Sequence, residues 1–287
     1  MARSVRRRAR SPARPTARTR RVRRLGAALC RRWWRRLRHA PPLLRTAVAL
    51  LAVGLLALGA NALYQVVRKP TELFFPVSGV LYKSPHETWR DYAPLFRRYA
   101  TRSVSAELLA ALAQVEGSGN PLVRTYWRWS WARRPFELYR PASSAVGMYQ
   151  ITDGTFDEAR HYCIHGHELA REGGWNDWHA CWFNRLYWRV VPADAVELTA
   201  AYLDLKVGEI LARERVRGVS SAQLRHVAAT VHLCGAGAAA AYVRAGFRFS
   251  EGQRCGAHDP RVYLRRVDAM QEEFARLADE AGDARTQ

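Results

Sequence analysis

The stretch that decides the fold is SAELLAALAQVEGSGNP at residues 105–121. Its apolar side chains repeat at helical spacing: Leu108, Leu109, Leu112 and Val115. Ser105 is a favourable N-terminal cap and Gly117 a favourable stop, so the pattern predicts a helix with Glu116 on its last turn. The apolar surroundings and the negative end of the helix dipole disfavour a charged carboxylate there, which makes Glu116 a candidate general acid.

Helical periodicity continues through the rest of the chain, and strand signals are few. Further helices are predicted to start at Thr155, to run from Ala195 to Arg217, to run from Ser221 to Gly235, and to start at Pro260 behind Asp259. Val146–Ile151 is the best strand candidate. We therefore predict a mainly α domain over residues 101–281, between a connector at 68–100 that packs on it and a short tail at 282–287.

The charge of the chain is concentrated at its N-terminus. The sequence has 46 Lys and Arg against 25 Asp and Glu, a net charge of +21. Residues 1–45 hold 17 Arg and no acidic residue, which leaves 29 basic and 25 acidic residues in the rest of the chain. A nucleic-acid-binding face needs its positive charge on the folded part, so nucleic acid is not predicted as a partner. Membrane topology and anionic lipid headgroups explain this tail better.

Thr46–Val67 is a run of 22 residues without a charged side chain. As a helix it would be about 33 Å long, which matches the roughly 30 Å hydrocarbon core of a bilayer. The Arg-rich segment before it is expected to stay in the cytoplasm, so the sequence predicts a single-pass inner-membrane protein with a periplasmic body. The alternative is a signal peptide cleaved near residues 60–62, which would also export the body.

Four of the five cysteines follow this span, as expected of two disulfides in an oxidising compartment. The pairs Cys163–Cys181 and Cys234–Cys255 are favoured because each closes a short loop. A zinc site is the alternative, built from Cys163 and Cys181 with neighbouring histidines: His161, His165, His167 and His179. Their spacings do not match the common structural zinc patterns, so no metal and no other cofactor is predicted.

An aromatic segment follows the first motif. Tyr126–Trp131 alternates aromatic with polar residues, which is typical of a half-buried strand. Aromatic rings also stack on the faces of sugars, but we expect at least half of these rings to pack in the core.

A second informative stretch is SSAVGMYQITDGTF at residues 143–156. Taken with Glu116 and Asn120-Pro121, the run Gly147-Met148-Tyr149-Gln150-Ile151 with Thr155 resembles the first two motifs of the soluble lytic transglycosylase family, E-S-x-x-N-P and G-L-M-Q-I-x-x-x-T. The closing tyrosine motif of the family resembles the segment around Tyr263. The resemblance covers about residues 100–278.

This resemblance implies a lysozyme-like, goose-type α-rich fold with a groove for peptidoglycan glycan strands. Glu116 would protonate the bond between N-acetylmuramic acid and N-acetylglucosamine, then deprotonate the muramoyl 6-hydroxyl, which closes a 1,6-anhydro ring without water. The resemblance also implies substrate contacts at a set of further positions: Ser118, Gly147, Tyr149, Gln150 and Tyr263. Of these, Tyr263 would also orient Glu116.

Three departures from the family pattern keep two other functions open. Gly117 replaces the usual Ser, Tyr149 replaces a Met, and Val231–Gly237 keeps the glycines of the third motif, A-Y-N-A-G-x-G, but not its Tyr and Asn. One alternative is a peptidoglycan-binding scaffold or assembly factor without turnover, within a wall-building or secretion complex. The other is a lysozyme-like hydrolase with a second carboxylate from one of four residues: Glu137, Asp153, Asp157 or Glu158.

Overall fold

The computed structural model describes residues 35–130, 137–174, 176–177 and 180–286. As predicted, this part of the chain is mainly helical. Its helices are α1 (Pro42–Arg68), α2 (Pro85–Tyr99), α3 (Ala106–Gly117), α4 (Asp153–Ala159), α5 (Pro192–Arg213), α6 (Ser221–Arg244) and α7 (Pro260–Thr286). Shorter helical turns lie at Pro70–Phe74, Phe75–Ser78 and Trp182–Leu186. Most of the predicted Arg-rich tail, Cys30, Trp131 and His179 lie outside the described residues.

The chain forms two compact units, Met1–Ala60 and Asn61–Gln287. In the described part of the first unit, the leucines of α1 are exposed along the helix. By length and composition α1 is apolar enough to cross a membrane. So is α6, but half of its apolar window is buried and several of its side chains lie in the core of the second unit. We therefore interpret α6 as a core helix.

The helix α3 lies at the centre of the second unit and packs against α7 and α2. Three of its leucines have no exposed surface: Leu108, Leu109 and Leu112. The predicted cap is confirmed, because the Ser105 hydroxyl accepts a hydrogen bond from the Leu108 N–H at 3.2 Å, and the helix ends at Gly117. Truncating one such leucine to alanine costs about 2–5 kcal/mol, so the helix that bears Glu116 is firmly held.

The predicted connector is part of the folded domain. Its helix α2 buries Trp89 and Phe96, whose ring centroids lie 6.2 Å apart, and Trp89 packs at 5.7 Å from Phe274 of α7. The expectation that the connector packs on the domain is confirmed, and the core extends to residues before 101.

Several predicted helix boundaries shift in the structure. α4 begins at Asp153 and not at Thr155, because the Thr152 hydroxyl accepts from the Thr155 N–H at 3.3 Å and so caps the helix. α5 ends at Arg213, four residues before the predicted end. α6 continues past Gly235 to Arg244, with a kink at Gly235, where φ is 79° and ψ is 167°.

The described strands form two small antiparallel hairpins. β1 (Trp127–Trp129) pairs with β2 (Tyr139–Pro141), and β3 (Tyr162–His165) pairs with β4 (Glu168–Arg171). In the aromatic segment Tyr126 and Trp129 are exposed, whereas Trp127 is half-buried and donates to Glu72, so core packing fails for two of the three described rings.

The predicted strand at Val146–Ile151 is also wrong. Gly147 and Gln150 both have positive φ, at 80° and 49°, which folds the segment back on itself. Val146 and Ile151 consequently face each other as an isolated bridge.

Candidate active site

The carboxyl group of Glu116 lies at the end of α3, where the helix turns sharply away. Ser118 adopts the left-handed conformation, with φ of 47°, and its N–H bonds back to the Gln114 carbonyl at 2.9 Å. This turn ends the helix one residue after Glu116, whose side chain keeps 20% of its surface exposed. The carboxyl group is therefore both anchored by a buried helix and reachable from outside.

Tyr263 of α7 binds this carboxyl group. Its hydroxyl donates a hydrogen bond to Glu116 Oε1 at 2.6 Å, and the predicted approach of Tyr263 to Glu116 is thus present. Burial raises the pKa of the Tyr263 hydroxyl well above its usual value, and the neighbouring Glu116 raises it further. The hydroxyl therefore keeps its proton at neutral pH and fixes one of the two carboxyl oxygens.

His232 of α6 also approaches this carboxyl oxygen. The sequence alone did not identify His232 as a functional residue. Its Nε2 is 3.7 Å from Glu116 Oε1. Burial lowers the pKa of this imidazole, although Glu116 opposes the shift, so the ring is neutral at pH 7. The available signal was the position of His232 in Val231–Gly237, where the family that the sequence resembles has the Tyr of its third motif.

A disulfide joins α6, which carries His232, to the loop that precedes α7, which carries Tyr263. Cys234, two residues after His232, is bonded to Cys255, which lies eight residues before Tyr263. The second disulfide joins Cys163 to Cys181. Both favoured pairings are confirmed, and the thiols that the zinc alternative needs are consumed.

A cavity of about 170 Å³ with both polar and apolar walls opens beside His232. Its hydrogen-bonding walls come from α4, α5, α6 and the turn before α4: Gln150, Thr152, Thr155, Thr199, Tyr202 and His232. The hydroxyl of Thr199 is buried and has no hydrogen-bond partner within the described residues. The volume is below the roughly 300–1,000 Å³ of typical ligand pockets, so the cavity accommodates only part of a larger ligand.

Gln150 is the substrate-binding candidate that lines this cavity. Its amide nitrogen donates to the carbonyls of Gly147 at 3.0 Å and Val123 at 3.3 Å. These bonds hold the side chain in one orientation on a residue that already has a left-handed backbone.

Gly147 and Tyr149 do not line the cavity. A Cβ atom on Gly147 would lie 2.3 Å from the Arg189 carbonyl oxygen, so this position admits no side chain. Tyr149 is fully buried, and its hydroxyl has no hydrogen-bond partner in the described part of the chain. The structure gives both residues a packing role that positions Gln150.

The residues after Glu116 also serve the local backbone. A Cβ atom on Gly117 would lie 2.8 Å from the Cα and carbonyl oxygen of Met148, which explains glycine where the family has serine. Asn120 is buried, and its amide donates to the Ser78 carbonyl at 2.6 Å. Ser118 lines a different depression, between α3 and α7, and is not brought to the cavity.

The other carboxylates considered for a hydrolase are engaged elsewhere. Each forms an ion pair with its own cations: Glu137 with Arg68 and Arg140, Asp153 with Arg189, Asp157 with Arg160, and Glu158 with Lys206. Among the described residues, none of the four has a contact with Glu116.

The histidines of the zinc alternative are likewise occupied where the structure describes them. His161 Nδ1 lies 2.5 Å from the Glu172 carboxylate, and His167 Nδ1 lies 2.8 Å from the Ala100 carbonyl oxygen. Within the described ranges no group of three or more metal-ligating side chains comes together.

Comparison with known proteins adds no assignment: no protein-family model matches the chain, and neither does any curated protein. The functional interpretation therefore depends on the geometry of Glu116, Tyr263, His232 and the cavity, together with the motif resemblance.

Proposed function

We propose that the chain is a membrane-tethered peptidoglycan lytic transglycosylase with a lysozyme-like, goose-type domain and Glu116 as its general acid and base. The observation that carries this proposal is the 2.6 Å hydrogen bond from Tyr263 to Glu116, beside a neutral imidazole that also lines a cavity. One carboxyl group that is held by a neutral donor and reachable from outside suits proton transfer in both directions. The same residue is the one that the motif resemblance selects.

In the first step, Glu116 protonates the oxygen that links N-acetylmuramic acid to N-acetylglucosamine. The bond from C1 to this oxygen breaks, and its electron pair leaves with the N-acetylglucosamine hydroxyl. In the second step, the ionised Glu116 takes the proton of the muramoyl 6-hydroxyl, whose oxygen attacks C1 and closes the 1,6-anhydro ring. The carboxyl group regains its proton, and no water is consumed.

The neighbours of Glu116 give its two carboxyl oxygens different roles. Tyr263 donates to Oε1, which leaves Oε2 to carry the transferred proton. The Thr199 hydroxyl and the amide oxygen of Gln150, whose nitrogen donates to Gly147 and Val123, supply hydrogen-bonding groups to the polar substituents of a sugar. The four carboxylates considered for a hydrolase each pair with a cation, which favours ring closure over the two-carboxylate hydrolysis mechanism.

The location that we propose follows from α1 and the disulfides. α1 crosses the inner membrane with its Arg-rich flank in the cytoplasm, and the domain lies in the periplasm, where both disulfides are stable. The partners in this proposal are peptidoglycan glycan strands and the membrane itself.

The test is digestion of purified sacculi with the detergent-solubilised full chain, followed by mass analysis of the released muropeptides. We expect anhydro ends, which are one water lighter than reducing ends, and none from Glu116→Gln. Reducing ends would instead establish a hydrolase.

A second candidate is a glycan-binding scaffold without turnover. It is favoured by the small cavity and by His232 and Leu233 in place of the Tyr and Asn of the third motif. Sacculi that retain the protein but release no muropeptide with either wild type or Glu116→Gln would support it.

A further inference from the structure

An open groove, the seam groove, lies between α6 and α7. Its α7 wall is one face of that helix, with residues at helical spacing: Arg261, Leu264, Arg265, Asp268, Gln271 and Ala275. Tyr263 contacts Glu116 instead, and no residue of the seam groove lines the cavity beside His232. The seam groove is therefore separate from the candidate active site.

The seam groove consists of two depressions that meet at His226 of α6 and Asp268 of α7. The larger holds about 510 Å³ and the smaller about 350 Å³. Both volumes fall within the roughly 300–1,000 Å³ of typical ligand pockets. Along residues 261–275, α7 is about 21 Å long, which equals about six or seven residues of extended peptide.

The floor of the larger depression is aromatic. The rings of Tyr242 and Phe249 are stacked with centroids 4.4 Å apart, and Phe247 meets Tyr242 edge-on at 5.9 Å. Tyr242 is buried and both phenylalanines are half-buried. Because these rings pack on one another, the floor suits an inserted apolar side chain better than the stacking of nucleic-acid bases, which needs free ring faces.

The loop between α6 and α7 is fixed where it borders the groove. The Arg261 guanidinium of α7 donates to the carbonyls of Phe249 and Ser250 at 3.2 and 2.5 Å. Further along the loop, Cys255 is bonded to Cys234 of α6. The groove is thus held open by the fold itself, and a ligand would not have to order it.

Arginine dominates the charge of the seam groove. Four arginines line it, at positions 225, 248, 261 and 265, against two acids, Asp268 and Glu272. His226 Nε2 lies 2.9 Å from the Asp268 carboxylate, so this acid already has a partner. Arg248 and Arg265 are exposed and have no hydrogen bond or ion pair with any described residue. The groove therefore attracts carboxylates, which match the planar fork of a guanidinium.

The smaller depression has two buried polar atoms without a partner. Arg225 Nε is a donor and Gln271 Oε1 is an acceptor, and neither has a hydrogen-bond partner within the described ranges. Buried polar groups are costly when they stay unpaired. A peptide backbone has one donor and one acceptor at each residue, so a chain in the groove can satisfy both atoms.

We propose that the seam groove binds an extended, acidic peptide segment of another protein, about six or seven residues long. Its carboxylates bind Arg248 and Arg265, an apolar side chain lies on the aromatic floor, and its backbone pairs with Arg225 and Gln271. Such a segment would recruit the chain to a partner and leave the site around Glu116 open. The inference does not depend on the proposed activity.

The test measures fluorescence anisotropy of a labelled peptide, Glu-Leu-Glu-Phe-Glu-Leu-Glu, with the full chain in zwitterionic lipid nanodiscs. Combining Arg248→Gln with Arg265→Gln should weaken binding by about tenfold or more. The matched control combines Arg217→Gln with Arg266→Gln, which removes the same charge from exposed arginines outside the groove and should leave binding close to wild type. This control is needed because the 17 arginines of residues 1–45 attract any acidic peptide.

A second peptide keeps the glutamates and replaces leucine and phenylalanine by serine, and it should also bind more weakly. Equal affinity of the two peptides would reduce the interaction to charge and overturn the proposal. So would equal weakening by the two double variants, no weakening by either, or no binding to the wild type. Tighter binding of oligothymidylate of the same charge, lost with Arg248→Gln and Arg265→Gln, would assign the groove to nucleic acid and reject the peptide.

Discussion

Glu72 and Glu116 are both held by contacts with distant parts of the chain, and their surroundings differ in kind. Glu72 is 1% exposed and lies between Lys69 at 3.3 Å and Arg124 at 3.1 Å, with Trp127 Nε1 at 2.8 Å. Glu116 is 20% exposed and contacts the Tyr263 hydroxyl and the His232 imidazole. In the described part of the chain, no Lys or Arg lies within ion-pair distance of Glu116.

The difference separates a carboxylate with a structural role from one that is suited to proton transfer. Two cations and an indole N–H surround the Glu72 carboxylate, which supplies the counter-charge of Lys69 and Arg124. Glu116 has only neutral partners at pH 7, so neither of its protonation states leaves a buried cation uncompensated. A carboxyl group that must alternate between the two states needs this second kind of environment.

The largest expected effect is on turnover at Glu116. Glu116→Gln keeps the shape and the Tyr263 hydrogen bond but removes the transferable proton, so release of muropeptides from sacculi should fall by about 10²- to 10⁴-fold. Glu107→Gln, on the first turn of the same helix, is the matched control and should leave release unchanged. Comparable release from both variants would remove Glu116 from the mechanism.

The same change at the other glutamate should affect folding. Glu72→Gln leaves Lys69 and Arg124 without their buried counter-charge, which should cost about 3–5 kcal/mol of unfolding free energy. Denaturant unfolding of the detergent-solubilised chain measures this. A Glu72→Gln protein that is stable but has lost turnover would contradict a purely structural role for Glu72.

The Cys234–Cys255 disulfide bears on the same comparison, because Cys234 lies two residues after His232 and Cys255 lies eight residues before Tyr263. Replacing both cysteines by serine should cost about 3 kcal/mol and should also reduce turnover at temperatures where the protein stays folded. Replacing Cys163 and Cys181 should cost a similar free energy with less effect on turnover. Equal activity losses in the two variants would show that the first disulfide does not position His232 and Tyr263.

Tyr263→Phe removes one hydrogen bond to the reacting carboxyl group. A bond of this kind to a charged group contributes about 1.5–3 kcal/mol, so turnover should fall by about 10- to 100-fold while binding to sacculi persists. The pH profile of turnover should also shift, since Oε1 loses its donor. If the variant kept the wild-type turnover rate and pH profile, Tyr263 would have only a packing role.

The smallest effect concerns the pH dependence of stability. Burial lowers the pKa of His232 in the folded state, so the unfolded chain binds this proton more readily. As pH falls below about 6.5, the wild type should therefore lose stability relative to His232→Gln, by at most about 1.4 kcal/mol for each unit by which the folded pKa is lowered. Parallel pH dependence of unfolding in the two proteins would contradict a buried neutral imidazole.

Sequence reasoning succeeded where the signal was local. The Ser105 cap, the apolar spacing and Gly117 fixed the limits of α3, and short loops favoured both disulfide pairings. It failed at Val146–Ile151, because residues with positive φ reverse a segment whose composition is that of a strand. The contact of Tyr263 with Glu116 spans 147 residues and was anticipated only through the family resemblance. His232 and the cluster around Glu72 gave no periodic signal, since their partners lie on other elements.

The bond between Tyr263 and Glu116 also constrains how the chain can be threaded through a bilayer. Residue 116 precedes α6 and residue 263 follows it, so a chain that crossed at α6 would place the two side chains in different compartments. Their 2.6 Å separation requires an even number of crossings between them. Reporter fusions placed after residues 117 and 263 should therefore report the same side of the membrane. A hydropathy plot alone would assign the two residues to opposite sides.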